Sequence, residues 1–156
     1  MPESIKTRIN RWIYNFYPVY RRTGARIDYI DKSWKEIRIS VPLRIWTRNY
    51  YGTISGISMF GGVDPIYMVM LIKLLGPEYV VWDKQATIRF IKPGKDKLFA
   101  RFKLDDAELN LIRATLESKA SVTRTYHVEL TDKSGTVCAS VDKEIHMKKR
   151  QMKINE

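Results

Sequence analysis

From Val63 to Leu75 the chain is almost wholly apolar, and Gly76-Pro77 closes the run as a helix end would. A helix apolar on nearly every side must be covered on every side. The stretch contains Asp64 and Lys73 and falls short of the roughly 20 residues that a bilayer span requires. Its place is therefore the centre of a folded domain. One curved sheet around such a helix leaves a flank open, so a second copy of the chain, in a homodimer or homotetramer, is the expected cover.

The flanking segments supply that sheet. Arg26 to Ile30 and Lys35 to Val41 read as two strands about a turn at Asp31-Lys32-Ser33, with Ile37, Ile39 and Val41 alternating against Glu36, Arg38 and Ser40. After the helix come strands from Tyr79 to Ile91 and from Lys97 to Leu104, separated by a turn at Lys92-Pro93-Gly94-Lys95. Asp105, with Glu108 three residues on, starts a short helix that buries Leu109, Ile112 and Leu116. Two more alternating strands, Val122 to Leu130 and Thr136 to Met147, flank a turn at Asp132-Lys133-Ser134-Gly135.

Ahead of these, Glu3 to Phe16 forms an amphipathic helix in which Ile5, Ile9, Trp12 and Phe16 recur at helical spacing. Pro18 ends it, and it is expected to pack on the sheet rather than on a membrane surface. The architecture is thus α+β, a long antiparallel sheet wrapped around a central apolar helix, with an extra N-terminal helix. Residues 1–24 hold that helix and a linker, 25–147 the domain, and 148–156 a charged tail.

A chain of 156 residues with one cysteine, Cys138, builds one domain without an internal disulfide and suits a reducing cytoplasm. No secretory leader is expected. The net charge of +11 fits three kinds of partner: nucleic acid, an anionic membrane surface, or a small ligand bearing phosphates, such as a coenzyme A thioester. No nucleic-acid-binding motif supports the first, and no stable membrane insertion is expected. His127 and His146 form no metal-ligand cluster with Cys138, so no metal is expected.

Four of the eight glycines fall between Gly52 and Gly62 and lead straight into Asp64. Glycine lets a backbone approach a ligand closely, and a carboxylate entering a buried helix is costly without a task. Asp64-Pro65 fits either a helix cap with proline at the first helical position, or a kink inside a helix that begins near Ser58. In the second case the Gly61-Gly62 pair absorbs the bend. Asp64 is expected to lie buried among Val63, Ile66 and Tyr67.

The segment Asn49-Tyr-Tyr-Gly52-Thr-Ile-Ser55-Gly56, with Asp64 eight residues beyond Gly56, resembles the signature of hotdog-fold acyl-CoA thioesterases. In the phenylacetyl-CoA branch the pattern runs Asn, two residues, Gly, two residues, His-Gly-Gly, then an acid on the central helix. Asn-Tyr-x-Gly-Thr, Asp-Pro-x-Tyr-Met and Val-Trp-Asp-Lys look more closely like a branch of uncharacterised hotdog proteins grouped with the thioesterases. The resemblance implies a hotdog fold and favours the kinked helix. It implies Asp64 as the general base that activates water, or less often a nucleophile, the Gly56 amide as the donor polarising the thioester carbonyl, and Asn49 as the group orienting water or carbonyl. It also implies that Asp83 is contributed across a dimer.

Separately, the bases on the two strands after the central helix, Lys84 and Arg89 among them, are candidates to grip coenzyme A phosphates. Coenzyme A enters only as part of the substrate, and no cofactor is implied. One departure matters: His-Gly-Gly reads here Ser55-Gly56-Ile57. The Gly56 donor survives, but Ile57 adds bulk, which points to a different acyl group, slow turnover, or a non-catalytic acyl-ligand binder as the alternative to a hydrolase.

Overall fold

A computed structural model describes residues 2–150. Its strands are β1 (Arg26–Ile30), β2 (Glu36–Val41), β3 (Tyr79–Phe90), β4 (Leu98–Lys103), β5 (Ser121–Thr131) and β6 (Val137–Lys149), and its helices α1 (Ile5–Phe16), α2 (Pro18–Arg22), α3 (Gly56–Val63), α4 (Ile66–Leu75) and α5 (Asp106–Ser118). All six strands join one antiparallel sheet in the order β1-β2-β4-β5-β6-β3. The period-two pattern places Ile37, Ile39 and Val41 of β2, Leu98, Ala100 and Phe102 of β4, and Val141, Ile145 and Met147 of β6 in the core.

The central helix fills the concave side of that sheet. Ser55 caps it, its side chain accepting from the Ser58 amide. It runs from Gly56 to Leu75 with one interruption at Asp64–Pro65, both still in right-handed helical conformation. The Asp64 amide reaches the Phe60 carbonyl at 2.8 Å, but Pro65 has no N–H to continue the ladder. At the break the Tyr20 hydroxyl donates to the Gly62 carbonyl at 3.1 Å. The kinked arrangement is the one found, and it begins at Gly56, before the expected Ser58. At 20 residues the whole helix is long and apolar enough to cross a membrane by length and composition, unlike the shorter run read from the sequence. Here it is the core helix, with Ile66, Met70 and Leu71 buried against the sheet.

β4 and β5 pair only at Phe99 and Thr131. Where they part, the Tyr67 ring packs on Phe102 of β4 and Tyr126 of β5, and its hydroxyl donates to the His127 carbonyl at 3.1 Å. Burial pushes the Tyr67 phenol up to about 12. α5 lies beside this seam, and its Glu108 holds Arg124 through two hydrogen bonds and accepts from the Tyr126 hydroxyl.

The two edges of the sheet differ. β1 is closed by α1: the Asn15 carboxamide accepts from the Ile27 amide at 2.8 Å and donates to the Ile27 carbonyl at 2.9 Å, taking the place of a neighbouring strand. β3, at the other edge, is 12 residues long and among the described residues pairs on one side only, with β6. Two sequence expectations need correction. α1 ends at Phe16, ahead of Pro18 as expected, but the expected linker holds α2, which Pro18 opens because proline suits the first helical turn. β6 extends to Lys149, so it takes in the first two residues of the expected tail, and the tail's residues 151–156 lie outside the described residues.

Candidate active site

The kink of the central helix turns the Asp64 side chain toward β3 and β6. Lys143 of β6 meets it there: its Nζ donates to Asp64 Oδ1 at 2.6 Å and lies 3.1 Å from Asp83 Oδ1 on β3. Alternation along β6 explains the direction, since Val141, Ile145 and Met147 share the inward face with Lys143. The Lys143 side chain is only 1% exposed, against 43% for Asp64 and 26% for Asp83. A buried ammonium is held only by such partners. Its Nζ also stands 6.0 Å above the Phe60 ring.

A bulge in β3 sets the third member. Asp83 pairs with Ile145 and Gln85 with Glu144, which leaves Lys84 as the extra residue. Opposite Ile145, Asp83 shares the inward face. Burial raises its carboxyl above the ordinary carboxylate range, against the opposing pull of Lys143, and the nearby Asp64 charge adds to the rise. Asp83 Oδ1 is buried yet accepts no hydrogen bond of good geometry, so its contact with Lys143 is electrostatic. No side chain or amide among the described residues donates to Asp64 Oδ2. The expected burial of Asp64 is corrected: its side chain is only partly buried, with Oδ1 held by Lys143 and Oδ2 left without a donor among the described residues.

The remaining residues singled out in the sequence fall into two groups. Gly56 begins the central helix, where its N–H has no acceptor within the helix. A Cβ there would stand 2.8 Å from Phe90 Cζ, so only glycine fits beneath that ring without displacing it. Ile57 is 82% exposed beside it. The Asn49 side chain is taken up by its own loop, accepting from the Tyr51 and Thr53 amides and donating to the Thr53 hydroxyl. Arg89 points away from the triad and binds Asp142 at 2.6 Å, whose other oxygen contacts His127 at 2.6 Å. Lys84 is exposed at the bulge. The structure therefore joins Asp64 and Asp83, and leaves Asn49 and Arg89 engaged elsewhere.

Lys143 escaped the sequence reading. The signal for it was an inward-register lysine on a strand whose neighbours on that face are all apolar. No group of three His, Cys, Asp or Glu side chains with metal-binding geometry occurs among the described residues. Cys138 is buried, as its strand position implies, and burial pushes its thiol up.

A helix wrapped by a six-stranded antiparallel sheet of this order, with its acid at the helix kink, defines a hotdog-fold domain. The chain belongs to the family described as a domain of unknown function (DUF4442), whose model matches residues 6–147. A comparison with curated proteins finds no match. Among solved structures, the chain is similar to a Pseudomonas aeruginosa protein of unknown function described as a probable thioesterase (18% identity, 96% of this chain and 99% of that one, TM-score 0.82). It is also similar to a Chlorobaculum tepidum protein of unknown function (14% identity, 94% and 95% covered, TM-score 0.72) and to a Haemophilus influenzae thioesterase (10% identity, 98% and 97% covered, TM-score 0.69). At these identities the likeness is one of fold.

Proposed function

We propose that the chain hydrolyses a thioester of the acyl-CoA type, with Asp64 as general base. The observation that carries this reading is the half-exposed Asp64 carboxylate at the helix kink, held through Oδ1 by Lys143 and with no donor to Oδ2 among the described residues. Water attacks the thioester carbonyl carbon as Asp64 Oδ2 takes its proton. The oxyanion rests on a Gly56 amide; on collapse the C–S bond breaks and the proton passes to the departing thiolate. A positioned base contributes about 10²–10⁴ in rate and a backbone donor about 10²–10³.

Gly56 and Asp64 of one chain cannot serve the same carbonyl. Eight residues of helix separate them by roughly 12 Å. The reading therefore requires two copies, the amide of one facing the carboxylate of the other. The unpaired edge of β3, and the exposed Phe90 (60%) and Ile57 beside it, support pairing there.

Release of free thiol from short, medium, long-chain and aryl acyl-CoA esters tests the proposal. The expected result is turnover of at least one class and a loss of about 10²–10⁴ in Asp64→Asn. No release, or undiminished release in the variant, removes the assignment. Asn49, engaged in its own turn and not free to orient water, favours one second reading, an acyl-ligand binder without turnover. Thermal stabilisation by acyl-CoA without thiol release is its mark.

A further inference from the structure

The apolar face of α1 points away from the protein. Ile5, Ile9, Trp12, Ile13 and Phe16 form one stripe, each more than half exposed. α1 packs on the sheet as expected, but through its polar face at the β1 edge, so the apolar stripe is left facing outward. The open peptide groups of β1 need polar partners, so α1 turns inward Asn15, which pairs with both peptide groups of Ile27, and Arg11 with its partner Glu3, whose Oε1 also accepts from the Ile30 amide.

The charges around the stripe are of one sign. Between Glu3 and Asp28 the sequence holds six basic residues and no acid; Arg11 turns inward to Glu3, which leaves Lys6, Arg8, Arg21, Arg22 and Arg26. At 100° per residue Lys6 and Arg8 border the stripe on its two sides. A cleft of about 530 Å³ beside α1 is lined by Arg21, Arg26 and Arg44 together with the exposed Trp46, and Asp28 also borders it. No carboxylate lies within ion-pair reach of those three guanidinium groups among the described residues; Arg21 sits over the Phe16 ring and Arg44 over the Trp46 ring instead.

We propose that α1, α2 and the loop carrying Arg44 and Trp46 form a docking surface for an anionic phospholipid membrane. The stripe enters the headgroup–acyl boundary, the bordering lysine and arginines meet lipid phosphates, and the tryptophans sit at the interface. Charge selects this occupant over a second copy of the chain. A two-fold contact through the stripe sets this basic border against its own copy, with no acid in the segment to pair with it. α1 lies at the opposite edge of the sheet from β3, and the proposal uses none of the residues on which the thioesterase reading rests.

The test is co-sedimentation of the full chain with vesicles of phosphatidylcholine alone and with about one third phosphatidylglycerol, at low and high salt, alongside light scattering of the chain alone. The expected result is binding to the anionic vesicles only, weakened by salt. In the Trp12→Ser/Phe16→Ser double variant, partitioning falls by about tenfold or more, and Arg21→Glu/Arg22→Glu also weakens it. The side chains are exposed, so unfolding midpoints stay unchanged and a loss is not one of folding. Absence of vesicle binding, equal binding to neutral vesicles, or undiminished binding in both variants overturns the proposal. So does a fall in solution mass in the double variant of a chain that ignores vesicles, which assigns the stripe to self-association.

Discussion

Lys143 Nζ lies 2.6 Å from Asp64 Oδ1, an ion pair that ties β6 to the kink of the core helix across 79 residues of sequence. The ammonium is buried while the carboxylate is not, so the pair is asymmetric in what it loses when broken. Removing the lysine leaves two acids facing each other at the core's rim. Removing Asp64 leaves the lysine with Asp83.

Lys143→Met is accordingly expected to destabilise the fold by about 3 kcal/mol, the lower end for a broken buried pair, because both carboxylates keep some contact with water. Lys143→Met combined with Asp64→Asn and Asp83→Asn recovers most of that loss. Urea denaturation checks both. A single variant within about 0.5 kcal/mol of the parent, as for an ordinary surface change, shows that the pair does not anchor the strand.

Asp83 makes a prediction of opposite sign. Its folded-state pKa is raised, chiefly by burial, above the ordinary value of 3.8. Above the folded pKa its charge counts against folding; below 3.8 both states are protonated and the cost is absent. Asp83→Asn should therefore be at least as stable as the parent at neutral pH, with the difference vanishing in acid below its ordinary range. Denaturation curves in which the asparagine variant is clearly weaker at pH 7 would mean that the contact with Lys143 outweighs burial.

Glu36 carries a conventional acid sensitivity. Hydrogen bonds from Arg101, at 2.8 Å to each oxygen, and from Arg38 at 2.6 Å hold its carboxyl down at about 2, against an ordinary 4.5. With the folded value lowered, this contribution is complete above 4.5 and disappears as pH falls through about 2. Glu36→Gln should be weaker than the parent at neutral pH and converge on it in strong acid. A constant gap across that range contradicts the assignment.

The glycines of the central helix are not equivalent. A Cβ on Gly62 would stand 2.6 Å from Ala25 Cβ, which cannot rotate away, whereas one on Gly56 meets the outer end of the exposed Phe90 ring. Gly62→Ala should cost about 1–3 kcal/mol through overpacking despite alanine's better helix propensity. Gly56→Ala should leave stability nearly unchanged while pushing Phe90 aside. Equal thermal midpoints for the two variants contradict this difference.

What the sequence alone determined was whatever depends on local periodicity and turn chemistry. The apolar run at 63–75 required a covered helix, Ile37, Ile39 and Val41 announced the inward face of β2, and Asp105 marked the start of α5, because each signal is complete within a few residues. The Asn49–Asp64 segment, through its resemblance to the hotdog signature, placed an acid on the kinked helix, whose start lies two residues before the expected Ser58. Only the tertiary structure decided which partners those residues have. The β3 bulge and the β3–β6 register bring Asp83 and Lys143 to Asp64, and the open peptide groups of β1 turn α1 inside out, apolar face to solvent. Contacts between strands distant in sequence are fixed by register and edge satisfaction, and neither leaves a periodic trace in the chain.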